Sequence, residues 1–162
     1  MVGFTAVVSA LAVALSVLTV PFVAGLRIHF FQFAIMLAGV IAGPLSGLVT
    51  GLIGGAYVAM LRSDPTILIG NGLLGLFTGL FVRRMRPALA GIAAWALIQA
   101  PWVYVTGTFI FQVPALVMQL ILGLLTIEGV VCAAVVDVLQ SRFHLRELVF
   151  PNAANAEPRR ER

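Results

Sequence analysis

Residues 39–86 read GVIAGPLSGLVTGLIGGAYVAMLRSDPTILIGNGLLGLFTGLFVRRMR. The stretch holds two apolar runs, divided by the polar break Arg62-Ser63-Asp64-Pro65 and closed by the cluster Arg83, Arg84 and Arg86. Gly47, Gly51 and Gly55 recur every four residues in the first run and lead to Ala59, and Gly75 and Gly79 repeat the step in the second. On a helix a four-residue step returns to nearly the same face. Two apolar helices that each carry a glycine groove can approach backbone to backbone, which is how helices associate in lipid. The spacing therefore predicts a tightly packed pair of membrane-spanning helices, with packing as the first role of the glycines.

The rest of the chain supports a membrane reading. Of its 162 residues, 61% are hydrophobic and 10% charged, with a mean hydropathy of +1.10. A soluble domain is usually about a quarter charged. So few charges cannot cover a water-facing surface, and the length suits one domain. The formal charge of +4 comes from arginines without a single lysine. These arginines flank apolar runs instead of sharing one soluble face, so they report membrane topology and not nucleic-acid binding. Cys132 is the one cysteine, which excludes an internal disulfide and a cysteine metal cluster. The N-terminus is apolar but has no basic leader, so residues 4–20 read as a retained first span and not a cleaved signal.

Six spans follow: Phe4–Val20, Phe30–Gly43, Leu45–Leu61, Thr66–Val82, Ala88–Val105 and Val113–Leu139. The second is short enough to be re-entrant, and Pro101 should kink the fifth. Alternation puts Arg83, Arg84, Arg86, Arg142, Arg146, Arg159, Arg160 and Arg162 on one side, and only Arg27 and Arg62 on the other. The arginine-rich side is cytoplasmic. The expected fold is an all-α membrane protein: a compact six-helix transmembrane bundle over 1–140, both termini cytoplasmic, with a polar cytoplasmic tail over 141–162. Small residues also step by four at Ala6, Ala10 and Ala14 and at Ala34, Ala38 and Ala42, which suits a close-packed bundle.

Chemistry is sparse. There is no nucleophile elbow, HExxH, phosphate-binding glycine loop or paired carboxylate, so nothing points to an enzyme, a cofactor or a metal. Polar and aromatic residues instead gather in the outer halves of the spans: His29, Gln32, Tyr57, Asn71, Gln99, Trp102, Tyr104, Gln112 and Gln119. Gln112 and Gln119 are seven apart and are expected to share a helix face. Polar side chains in lipid are costly unless they face the bundle or a water-filled cavity. Their bias predicts an outward-opening pocket for a small polar-aromatic ligand, bound by amides and stacked on an indole or phenol. Trp102 and Tyr104 suit an interfacial belt equally well, and Asn71 and Gln119 interhelical hydrogen bonds. Glu128 falls past the bilayer middle, where a carboxylate holds a ligand group, carries a proton or caps a neighbouring backbone. Asp137, near the inner interface, is expected to face water or pair with Arg142. The cluster at 83–86 also suits acidic lipid heads or a cytoplasmic partner.

The order of parts resembles the substrate-binding S components of energy-coupling-factor (ECF) vitamin transporters. The resemblance is carried by LRIHFFQFAIMLAGVIAGPLSGLVTGLIGGAYVAML and ILIGNGLLGLFTGLFVRR, and above all by the GP-containing glycine phrase from Ala38-Gly39 to Gly55. It implies a subunit of a prokaryotic cytoplasmic-membrane importer that binds a vitamin-like micronutrient near the outer face. The ligand would pass to a transmembrane T component driven by two ATPases. It also implies that Ala6, Ala10 and Ala14 pack against the T component and that Pro21–His29 acts as a lid. The acidic residue common at the outer end of the family's third helix is missing from Tyr57–Leu61. Two other membrane families share parts of the pattern: the rod-shape scaffold MreD and the sensor part of LytS-type kinases. A ligand pocket separates the importer from the scaffold.

Overall fold

The computed structural model describes residues 1–21 and 27–150. Seven helices follow in order: α1 (Val2–Val17), α2 (Phe31–Ala42), α3 (Pro44–Arg62), α4 (Thr66–Phe81), α5 (Pro87–Ile110), α6 (Ala115–Phe143) and the short α7 (Leu145–Val149). α3, α5 and α6 are long and apolar enough to cross a membrane, while α1, α2 and α4 are shorter apolar helices. The loop expected after α1 is instead a two-stranded antiparallel ribbon, β1 (Thr19–Pro21) with β2 (Arg27–His29), in the register Val20 to Ile28. Residues 22–26, the middle of the expected lid, lie outside the described residues.

The glycine spacing does what it predicts. A Cβ on Gly47 would overlap the Gly75 carbonyl, and one on Gly51 the Asn71 carbonyl, so α3 and α4 touch backbone to backbone. Gly39 of α2 meets Gly75 and Gly79, and Gly79 in turn abuts Pro44. A second face of α3 receives α1: Gly54 seats Ala12, and hydroxyls join the helices at Thr5–Ser46 (2.8 Å) and Ser9–Thr50 (3.2 Å). Ala6, Ala10 and Ala14 take no part in this packing and are exposed.

α2 is the central rod, with every residue but Phe33 buried. An all-round apolar helix belongs inside. Its 12 residues rise about 18 Å, short of the roughly 30 Å hydrocarbon thickness. The ribbon and an internal cavity occupy the remaining depth above its N-terminus. α5 is continuous through Pro101 but carries π-helical turns at Trp95–Gln99 and Thr106–Ile110. Pro101 has no N–H to donate, and the wider turn just before it absorbs that loss.

Two expectations about the C-terminal part change. α6 runs past Leu139 to Phe143, and α7 lays Leu145, Val149 and Phe150 on the core instead of opening into a polar tail. The tail beyond residue 150 lies outside the described residues. Asp137 does not pair with Arg142; its Oδ1 accepts the Ala88 N–H (3.3 Å) and so caps the start of α5.

Candidate functional site

A cavity of about 180 Å³ opens at the ribbon end of the bundle. Arg27, Asp64, Phe111 and Val113 from the three connections at that end, with Arg62 at the end of α3, line it. Met1, Gly43, Val82, Arg83, Arg146 and Phe150 meet around a second cavity at the opposite end. That one is larger, about 710 Å³, and the side chains around it are apolar apart from Arg83 and Arg146. The smaller cavity is the candidate site because buried polar side chains converge on it.

Each wall has a local cause. On α4, Gly70 leaves room for the Trp102 indole, since a Cβ there would come within 2.8 Å of Cδ1. Trp102 Nε1–H donates to the Thr66 carbonyl (2.9 Å), and Asp64 Oδ1 accepts the Thr66 N–H (2.9 Å). On α5, the π turn ending at Gln99 turns that side chain toward α4. Gln99 Nε2 donates to Asn71 Oδ1 (3.0 Å), and Asn71 Nδ2 donates to the Ile67 carbonyl (2.9 Å). On α6, Met118, Ile121, Leu124, Leu125 and Glu128 line the cavity at steps of three and four. Glu128 is 3% exposed, and its Oε1 accepts the His29 backbone N–H (2.8 Å). This bond ties the ribbon to α6 about 20 Å along that helix, so the ribbon dips into the bundle.

His29 Nδ1 sits 3.3 Å from the Ser16 carbonyl. Burial pushes the imidazole below its ordinary value; the Ser16 bond opposes that shift, while Arg62 and Arg27 add to it. Gln32 Oε1, Gln99 Oε1 and Trp95 Nε1 are buried without a hydrogen-bond partner. Among the described residues no three His, Cys, Asp or Glu side chains cluster as metal ligands would.

Six of the residues expected from sequence meet here: His29, Gln32, Asn71, Gln99, Trp102 and Glu128. Four do not line the cavity. Tyr57 packs against the core beside Val58, the α3 residue that does face the cavity. Tyr104 is exposed, two residues and therefore about half a helical turn from Trp102. Gln112 precedes α6 with φ 50°, so its seven-residue spacing to Gln119 does not run along one helix. Gln119 is exposed, one residue out of phase with Met118.

Arg27, Arg62 and Asp64 line the mouth but were not among the sequence candidates. The signal was present: Arg27 and Arg62 are the two arginines that break the one-sided distribution of the others.

No curated protein and no solved structure matches this chain. The family model described as "ECF-type riboflavin transporter, S component" matches residues 1–142. That span covers α1 to α6, including every described wall of the cavity. The family is one of transporter subunits and not of enzymes. With an apolar helical bundle and a cavity on which buried polar side chains converge, the chain belongs to the S components of ECF-type transporters.

Proposed function

We propose that the chain is the micronutrient-binding subunit of an ECF importer and takes a small, vitamin-like, polar-aromatic ligand in the ribbon-end cavity. The observation that carries this reading is the convergence of Gln32, Asn71, Gln99 and Glu128, all buried, on one cavity in an otherwise apolar bundle. Buried polar groups in a membrane protein mark function by default. Trp102 supplies a ring face, and the amides supply hydrogen bonds.

In this reading the main helices cross the bilayer six times. Alternation along the chain supports it, because successive connections line opposite cavities. The end holding Met1, Arg83 and Arg146 is then cytoplasmic, with both termini there, and the cavity faces outward. The ribbon acts as the lid, latched by the Glu128–His29 bond. The exposed stripe Ala6, Ala10 and Ala14 offers a smooth face to the T component, and the two ATPases supply the energy.

A cavity of about 150 Å³ holds benzene, so 180 Å³ admits about one ring without ribbon movement. Titration of the purified protein with a vitamin panel, riboflavin included, tests the reading. Ligand binding is expected to quench tryptophan emission through Trp102 and raise the melting temperature. A panel without quenching or thermal shift overturns it. Ala10→Trp is expected to abolish uptake in cells carrying the full importer while ligand affinity stays within about twofold. Loss of binding would contradict the role given to that face.

A further inference from the structure

We propose that the cavity at the other end of the bundle, the one around Arg83 and Arg146, binds an anionic phospholipid of the cytoplasmic leaflet. The proposal uses the membrane placement above and is independent of what the ribbon-end cavity takes.

This cavity has an apolar depth. The last turn of α2 forms its floor: Val40, Ile41 and Ala42 are buried, and all three line it. α2 ends at Gly43 and α3 starts at Pro44, so no loop covers that end of the rod. A Cβ on Gly43 would meet nothing within 4 Å. Val82 after α4 and Val149 of α7 add further apolar wall. Its volume, about 710 Å³, falls in the range of ligand sites, about 300–1,000 Å³. Such walls give water few hydrogen-bond partners, and an acyl chain suits them. Leu45 lines the cavity and is 71% exposed, which leaves that side open to the bilayer.

The rim is cationic. Arg83 follows the C-terminus of α4, and Arg146 lies on α7, so two segments far apart in the chain bring a guanidinium to one cavity. Both residues are exposed, and among the described residues no carboxylate lies within 4.0 Å of either guanidinium. A lipid phosphate accepts from both in charge-assisted hydrogen bonds. Basic pockets between helices on the cytoplasmic side hold acidic lipid heads in this way. Residues 151–162, PNAANAEPRRER, carry no apolar side chain larger than proline, so the floor fits a hydrocarbon chain better than it fits that segment.

The test titrates purified full-length protein in neutral detergent with phosphatidylglycerol and with phosphatidylcholine of the same acyl chains. Native mass spectrometry counts the bound lipid. One phosphatidylglycerol is expected to bind, about tenfold or more tighter than phosphatidylcholine. The double variant Arg83→Gln/Arg146→Gln should lose that preference. Arg84→Gln/Arg142→Gln removes the same charge from residues that do not line the cavity, and should keep it. sn-Glycerol 3-phosphate, an anionic head without chains, should not displace the lipid. Equal binding of the two lipids, a preference that survives Arg83→Gln/Arg146→Gln, or equal loss in both double variants overturns the proposal. So does displacement by glycerol phosphate, which would mark a site for free phosphate, or the absence of any bound lipid, which would give the cavity to the C-terminal segment or to a protein partner. Affinity at the ribbon-end cavity should stay within about twofold in both variants, so failure here leaves the binding-subunit reading standing.

Discussion

α4 meets its two neighbours by opposite means. Toward α3 it offers Gly75 and the Asn71 carbonyl, which meet Gly47 and Gly51 backbone to backbone with no side chain between them. Toward α5 it offers Gly70 and Asn71, which receive an indole and an amide beside open volume. The first contact cannot yield, since backbone faces backbone. The second is held by side chains that have other rotamers. A binding protein in lipid needs both: a wall that does not move, and a face where polar groups stay available because the bundle does not close over them.

Adding one methyl to each face of α4 should separate them most sharply. Gly47→Ala drives a Cβ into the Gly75 carbonyl and is expected to cost more than about 3 kcal/mol, since overpacking penalties rise when no rotamer can relieve them. Gly70→Ala meets only the Trp102 ring and should cost about 1 kcal/mol while shifting the tryptophan emission. Unfolding in graded denaturing detergent measures both, and equal costs would remove the distinction between the faces.

Two glutamines sharpen the comparison at lower cost. Gln99→Leu leaves Asn71 Oδ1 without its donor and should lose about 1–3 kcal/mol of stability together with ligand binding. Gln119→Leu, on the exposed side of α6, should change stability by less than about 0.5 kcal/mol and leave binding intact. If Gln119→Leu abolished binding, the cavity would be assigned to the wrong face of α6.

The smallest effect concerns the ribbon. The folded protein holds His29 below its ordinary value near 6.5, so the neutral imidazole is favoured when folded. Its contribution is complete above that pH. It is lost as pH falls from there through the lowered folded value, because the unfolded chain takes up the proton first. Melting temperature is expected to drop across that interval, and less so in His29→Asn. A profile that is flat in both proteins would place His29 in a solvated ribbon.

The importer-like order of parts and the α3–α4 seam were legible because they rest on one-dimensional signals. Hydropathy, glycine spacing and arginine asymmetry each survive without any knowledge of neighbours. Which residues line the cavity was legible where a residue's phase followed from a regular helix, as for Asn71 and Glu128. The reading failed where the phase was broken. The link before α6 separated Gln112 from Gln119, and counting polar residues in outer halves ignored the phase that turns Tyr57 and Tyr104 off the cavity.

The amino-acid sequence by itself determined that this chain lives in lipid and that α3 and α4 close on their glycines, since burial of apolar surface and the absence of a Cβ are properties of the residues. Only the tertiary structure decided where the cavity lies. It exists because α2 stops short and the ribbon folds in above it. Polar side chains reach its wall because a π turn precedes the contact of Gln99 with Asn71, while Glu128 catches the ribbon. Distances between segments far apart in the chain set those facts, and no local pattern encodes them.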